Sequence, residues 1–276
     1  MHKISIITAT YNVEQTIQTC LDSLSQQTVP FEHIVIDGLS SDLTLEIVKN
    51  QSADSRIISE KDNGLYDALN KGIRAASGDI VGILHADDFF ASAQVLSRVT
   101  EVFKDSSVDA CYGDLLYVAE ERGPRNAGRE SQKQDNSSFQ IKRYWKSGRY
   151  DSRKFYWGWM PPHPTFFVRK SVYEKYGLFN LALGTAADYE LMLRFLLKYQ
   201  ISCKYIPEVL VKMRVGGVSN ASLGNRLRAN KNDRRAWRVN GLKPYPWTIP
   251  LKPIRKIPQY FLRPGTRHKV RSTKKA

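Results

Sequence analysis

The sequence predicts an α/β fold, a mostly parallel sheet flanked by helices on both faces. Two observations lead there. Over the first 110 residues, short β-branched and aliphatic runs alternate with segments whose apolar positions recur at helical spacing. Four successive runs of the first kind also end in polar, mostly acidic residues. Sheets of this class bind ligands at the carboxyl ends of their strands.

The elements follow in order. Ile4–Thr8 is the first predicted strand, closed by Thr10-Tyr11-Asn12, and Val13, Ile17, Cys20, Leu21 and Leu24 mark the helix after it. Ile34–Ile36 is the second strand core; Asp42–Asn50 is a helix with Ser40 or Ser41 as its N-cap. Arg56–Ser59 is a third strand, and Leu65, Leu69 and Ile73 mark a helix stopped by Ser77-Gly78. Ile80–Leu84 and Ser92–Phe103 form the last strand–helix pair. Tyr11 and Asn12, Asp37, Glu60-Lys61-Asp62, and His85, Asp87 and Asp88 thus arrive at one sheet edge. Further on, Ala119–Ser138 reads as a polar lid or hairpin extension. Trp157–Pro164 is too irregular for a helix or a central strand, and Tyr189–Leu197 reads as an amphipathic helix with Asp188 at its start.

Composition narrows the class. With 276 residues, 42% hydrophobic and 25% charged, the chain is globular and long enough for one large domain or two small ones. Cys20, Cys111 and Cys203 lie far apart, which argues against a zinc site or disulfide framework and for a reducing compartment. No run reaches 18 apolar residues, and Met1-His2-Lys3 leads into no long apolar segment, which argues against a membrane span and against secretion. The net charge of +15 is uneven: residues 1–220 carry 26 basic and 26 acidic residues, whereas 221–276 carry 16 basic residues and Asp233. A neutral body with a basic end suggests a catalytic unit and an electrostatic anchor.

No G-x-G-x-x-G or G-x-x-x-x-G-K-[ST] follows the first strand, which counts against dinucleotide oxidoreductases and P-loop enzymes. A carboxylate-lined site repels a bare diphosphate unless a divalent cation bridges the two. Mg²⁺ or Mn²⁺, with one or two carboxylates and substrate phosphates as ligands, fits Asp87-Asp88.

Three stretches, Ile4–Asn12, Val35–Gly38 and Asp62–Gly72, resemble the opening of glycosyltransferase family 2. The likeness continues through Gly78-Asp79, His85–Asp88, His163–Phe167 and Ala187–Leu191, covering about residues 3–220, and is greatest to bacterial enzymes of cell-surface polysaccharides. It implies a GT-A fold with a Rossmann-like sheet: a nucleotide-sugar-binding half at 1–110 and an acceptor-binding half at 111–220, with 221–276 as a basic helix and Pro-rich tail. It further implies inverting transfer from a nucleotide-sugar, uridine by default. Donor contacts fall to Thr8, Tyr11, Asp37, Asp62, Asp87 and Arg214, the metal to Asp87 and Asp88, and the catalytic base to Asp188. His163 and Trp159 fall on the acceptor or diphosphate side. Three positions depart from the pattern: His85 replaces the first D-x-D acid, Gly38 replaces an acid after the second strand, and Ala187 replaces the Glu before the base.

The residues allow that chemistry. A hydroxyl needs one carboxylate to take its proton, and the leaving diphosphate needs a cation on the opposite side. A second carboxylic acid, which a glycosidase requires, is unnecessary. Asn225–Val239 is predicted as a basic helix, followed by prolines among aromatic and basic residues. That end suits an anionic membrane surface, placing the enzyme in the cytoplasm, peripheral on the inner face of the bacterial membrane, with a glycan or lipid-linked saccharide as acceptor and no specific nucleic acid partner. Two other readings remain: a nucleotidyltransferase forming sugar-nucleotides, whose Gly-rich basic loop would have to stand at Thr10–Glu14, and an RNA-binding protein resting on the tail alone.

Overall fold

The computed structural model describes residues 2–120, 139–216 and 223–264. Its strands are β1 (Ile4–Thr10), β2 (Glu32–Asp37), β3 (Arg56–Ser59), β4 (Ile80–Ile83), β5 (Asp88–Phe90), β6 (Ala110–Glu120), β7 (Phe139–Trp145), β8 (Phe167–Arg169) and β9 (Cys203–Arg214). Its helices are α1 (Ile17–Ser25), α2 (Thr44–Gln51), α3 (Leu65–Ala75), α4 (Val95–Phe103), α5 (Lys170–Tyr176), α6 (Ala187–Met192), α7 (Leu223–Val239) and α8 (Thr248–Ile254). One mixed sheet runs β3-β2-β1-β4-β8-β6-β9-β5, with β7 on β6. Pairing is parallel through β3-β2-β1-β4 and again at β6–β9, and antiparallel where β8, β7 and β5 join.

The buried strands alternate between two cores, as a sheet covered on both faces requires. Ile7, Ile34, Ile36, Val81 and Ile83 face a core shared with α3, α6 and α7. Ile4, Ile6, Val35, Ile80 and Leu84 face α1 and α4. Gly72 lets α3 settle onto β1, since a Cβ there would lie 2.4 Å from Ile7 Cγ2. Buried Asn70 fastens the two halves together: its amide donates to the Phe179 carbonyl at 3.0 Å and accepts from the Phe179 N–H at 2.9 Å.

Two details differ from the sequence reading. Helix α1 starts at Ile17 rather than Val13, because the Val13 and Glu14 N–H groups donate across to Thr44 Oγ1 and Asp42 Oδ2. Neither Ser40 nor Ser41 caps α2; the Ser40 hydroxyl donates to Asp37 and the Ser41 N–H to Asn12 Oδ1. Of the two readings of Ala119–Ser138, Ala119 and Glu120 follow the hairpin extension and not the lid, as they belong to the β6–β7 ladder, while 121–138 lie outside the described residues.

The largest correction concerns the C-terminal segment. Residues 223–264 do not hang from the body as an extension. Fully buried Trp237 donates from Nε1 to the Tyr189 hydroxyl at 2.9 Å, and the Asn240 amide donates to Glu190 Oε1 at 3.2 Å. Glu190 itself is buried and paired with Arg194 at 2.9 Å, the i,i+4 pairing the sequence allows. Helix α8 lies so close to residue 158 that a Cβ on Gly158 (φ +73°) would stand 2.7 Å from Lys252 N. Trp237→Ala is therefore expected to lower the unfolding free energy by about 3–5 kcal/mol, measured by denaturant titration of the full chain. An unchanged midpoint would mean that α7 contributes nothing to the core.

Candidate active site

The carboxyl ends of β1 and β2 form a cleft corner that hydrogen bonds hold rigid. Asn12, in the left-handed region at φ 50°, accepts the Ser41 N–H at 2.8 Å while its own N–H donates to Ser40 Oγ at 3.0 Å. Tyr11 consequently projects outward and is 64% exposed, open for a planar ring to stack on. Gly38 explains its own departure from the family pattern: a Cβ there would lie 2.6 Å from Asp62 Oδ2 and 3.5 Å from the Tyr11 ring. Tyr11, Gly38 and half-buried Asp62 thus close on one another, and Asp62 Oδ1 accepts the Gly64 N–H at 2.7 Å.

Asp37 and Thr8 are not open to a ligand. Asp37 is fully buried, and its oxygens accept from Thr10 Oγ1, the Ser40 N–H and hydroxyl, and Ser59 Oγ at 2.5–3.0 Å. Burial would raise its carboxyl, but these donors bring it below the ordinary carboxylate range. In this structure its bonds join the β1, β2 and β3 ends. Thr8 lies on the same sheet face as Asp37, and its hydroxyl meets His33 Nε2 at 3.0 Å.

After β4, Asp87 is half-exposed at the cleft, whereas Asp88 turns inward as the first residue of β5 and is 1% exposed. Neither Asp88 oxygen makes a hydrogen bond of ordinary geometry among the described residues, although the Arg214 backbone N–H lies close enough to favour its ionised form. Burial, and next the adjacent Asp87 charge, push the Asp88 carboxyl well above the usual range. Arg214, at the end of β9, lies within electrostatic reach of both acids. Its guanidinium is engaged by Thr19 Oγ1 at 2.7 Å and by Glu120, above the Phe139 ring. No group of three or more His, Cys, Asp or Glu side chains able to hold a metal occurs among the described residues. A cation here would need substrate oxygens to complete its shell.

Asp188 lies in the first turn of α6, which continues as a π-helical stretch, Leu193–Lys198. Residue 186, not Asp188, is the N-cap, although Asp188 Oδ1 accepts the Tyr189 N–H at 2.7 Å. Its Oδ2 lies 3.0 Å from His163 Nδ1. His163 Nε2 in turn lies 3.2 Å from His85 Nε2. Burial would raise the Asp188 carboxyl; the adjacent His163, with hydrogen bonds from His163 and Tyr189, brings it below the ordinary range. An apolar cavity lined by Tyr66, Leu69, Phe166, Phe179 and Met192 adjoins this pair.

The structure therefore joins sites far apart in sequence: the loop of Asp87 reaches Asp188 through His85 and His163. Trp159, expected on the acceptor or diphosphate side, is instead a core ring, 6% exposed, with Nε1 donating to the Ser147 carbonyl at 2.9 Å. Trp157 is the exposed ring of that segment. Sequence reasoning missed Lys252, whose Nζ sits 3.3 Å above the Tyr189 ring, pairs with Asp233 at 2.6 Å and adds positive charge near Asp188. No local pattern announces it, because its partners come from α6 and α7.

Comparison with known proteins supplies the relationship. The family model described as Glycosyl transferase family 2 matches residues 5–177. The PGL/p-HBAD biosynthesis glycosyltransferase of Mycobacterium bovis (strain BCG / Pasteur 1173P2) is 28% identical over 223 residues, covering 78% of each chain. An uncharacterized glycosyltransferase of Mycobacterium tuberculosis (strain CDC 1551 / Oshkosh) is 30% identical over 199 residues, 69% of this chain and 68% of its own. Among solved structures, S. aureus TarS 1-349 in complex with UDP-GlcNAc superposes with a TM-score of 0.62 at 19% identity, covering 86% of this chain and 65% of that one. This chain thus spans just under two thirds of the TarS chain it matches. Mannosyltransferase PcManGT from Pyrobaculum calidifontis, in complex with GDP-Man and Mn2+, gives 0.59 at 18% identity over 92% of this chain and 69% of that one. Structural likeness at such identities speaks for the fold. The family match, laid over a mixed α/β sheet with its polar groups at the strand ends, makes this chain a member of glycosyltransferase family 2 with the GT-A fold.

Proposed function

We propose that the chain transfers a sugar, with inversion, from a nucleotide-linked donor to a hydroxyl of a glycan or lipid-linked saccharide in bacterial surface polysaccharide synthesis. One arrangement carries the reading: exposed Tyr11 follows β1, the acidic pair follows the neighbouring β4, and half-buried Asp188 is tied to the β4 loop through His163 and His85. The solved neighbours carry UDP-GlcNAc and GDP-Man in their own sites, which supports a nucleotide-sugar class of donor without choosing its base.

In this reading Tyr11 stacks on the base and Asp62 closes the corner beside it. Asp87 faces the diphosphate, with Arg214 behind it as a permanent positive charge. The orphaned oxygens of Asp88 beside half-exposed Asp87 fit a divalent cation; Asp87, with Asp88 behind, would hold it. When bound, Mg²⁺ or Mn²⁺ offsets the negative charge that grows on the leaving diphosphate. The acceptor hydroxyl loses its proton to an Asp188 oxygen as its own oxygen bonds to the anomeric carbon and the bond to the diphosphate oxygen breaks. The apolar cavity beside Asp188 keeps bulk water from competing with that hydroxyl.

The site for a lipid-borne acceptor has support on the same side. Trp247, Ile254, Ile257, Tyr260 and Phe261 are exposed, with Lys243, Arg255 and Arg263 among them, and Lys252, on α8 with Ile254, reaches Tyr189 next to Asp188. No helix among the described residues is long and apolar enough to cross a membrane. A peripheral hold on the anionic inner face of the cytoplasmic membrane would therefore combine aromatic insertion with basic attraction.

Three measurements check this. Thermal shift against UDP, GDP, TDP and CDP, with and without Mn²⁺, should show metal-dependent stabilisation by one nucleotide, and Asp87→Ala should abolish the metal dependence. No stabilisation by any of the four removes the donor reading. Asp188→Asn should keep nucleotide binding yet lose about 10²–10⁴-fold in turnover; retention of half the wild-type kcat excludes it as the base. Binding to anionic vesicles should weaken with salt, and Arg255→Ala with Arg263→Ala should cost about 1 kcal/mol per charge, read by co-sedimentation. Equal binding to neutral and anionic vesicles would dismiss the electrostatic part.

A further inference from the structure

His85 and His163 are 78 positions apart, yet their Nε2 atoms lie 3.2 Å from each other with the rings edge to face at 70°. Such a contact holds one N–H only: two facing N–H groups repel, and two bare nitrogens gain nothing. The opposite nitrogen of His163 faces Asp188 Oδ2 at 3.0 Å. An ionised carboxylate only accepts, so that proton belongs to His163 Nδ1. For a neutral His163 the Nε2 is then bare, and the shared N–H belongs to His85. All donors in the line point the same way, from the loop of Asp87 toward Asp188.

The backbone around His163 suits a fixed ring. The imidazole stands in a short 3-10 turn, His163–Thr165, between Pro162 and Pro164, and the buried Thr165 hydroxyl donates within that turn to the Pro162 carbonyl at 2.9 Å. His85 precedes the acidic pair by two positions and occupies the place where the family pattern has an acid. An acid there would accept but not donate when ionised, and could not complete this line.

We propose that His163 is a positioning residue for the acceptor base, orienting the Asp188 carboxylate through its Nδ1–H, and that His85 fixes the His163 tautomer that makes this possible. With Oδ2 held by His163 and Oδ1 bonded to the Tyr189 N–H, the remaining lone pairs of Asp188 have set directions, as a base needs before its substrate arrives. The charged and titratable groups around Asp188 among the described residues are His163 from its turn, His85 from the β4 loop, Tyr66 from α3, Tyr117 from β6, Asp233 from α7 and Lys252 from α8. Among the hydrogen bonds to Asp188, the one from His163 Nδ1 opposes burial most. The departure of His85 from the acidic pattern is thus tied to His163 rather than to the diphosphate. The inference rests on Asp188 as the base, and its test separates the two claims.

The first arm needs no substrate. Long-range ¹H–¹⁵N spectra of the full chain labelled at histidine nitrogens should show His163 protonated at Nδ1 and His85 at Nε2, with Asp188→Ala and His85→Leu each moving His163 toward the Nε2–H form. A His163 already in the Nε2–H form, or protonated at both nitrogens at neutral pH, overturns the proposal. The second arm follows slow hydrolysis of UDP-GlcNAc or GDP-mannose with water as acceptor. His163→Ala should lower kcat about 10–100-fold with the donor KM within two-fold, and should move the acid limb of the pH profile upward, because burial of Asp188 then goes less opposed. His163→Asn, whose amide can donate from nearly the Nδ1 position, should recover most of that loss; a loss equal to that of alanine refutes orientation through Nδ1–H. If the spectra show the expected tautomers while Asp188→Asn hydrolyses normally, the hydrogen-bond line stands and the base assignment falls.

Discussion

A strand covered by helices on both faces has nowhere to put a charge until it leaves the sheet. Through β1, β2 and β4 every side chain facing either core must be apolar or fully hydrogen-bonded, and the polar groups collect where each strand ends. That constraint makes the cleft. Tyr11 and Asn12 appear one residue past β1, and His85 and Asp87 appear past β4. Polar groups that remain within the strands obey the same constraint: Thr8 bonds to His33, and Asp37 is surrounded by donors from the ends of β1 and β3 and from the loop after β2. Both were attractive as donor contacts because of where they stand in the sequence. Their burial turns them into supports for the ends that do face the cleft.

Much of this was legible in advance, and the limits have physical causes. β3 and the starts of β4 and α3 fall where the hydrophobic pattern puts them, since local periodicity reports a covered face directly. The pattern cannot tell which of two adjacent acids turns inward. Asp87 and Asp88 look alike until β9 pairs with Phe89 and Phe90 and draws Asp88 into the sheet. Trp159 likewise looks like a sugar platform in a Trp/Pro-rich loop, but the Ser147 carbonyl waiting for its indole N–H comes from another segment. The meeting of His85 with His163 depends on the antiparallel entry of β8 beside β4, a long-range pairing with no local sign.

The basic C-terminal segment shows how charge can mislead about packing. Its surplus of arginine and lysine describes the outer surface of α7 well: Arg234, Arg235 and Arg238 are exposed. The same helix turns Ala236 and Trp237 inward, and two adjacent positions set among many charges give little periodic signal. The segment is wall and surface at once, and the wall carries Lys252 to the ring of Tyr189.

That wall also sets an order of assembly. The β1–β4 region is built of consecutive units whose contacts are near in sequence, so it can form as the chain emerges. The core around Tyr189 is different: Trp237 packs against Tyr156 and bonds to the Tyr189 hydroxyl, and Ile249 belongs to the same buried cluster. Until residues 237–249 have been synthesised, that core stays open and its aromatic side chains stay wet. The half of the molecule that holds Asp188 is therefore the last to become solid, and a nascent chain halted before α7 presents a finished β1–β4 region attached to an unfinished core.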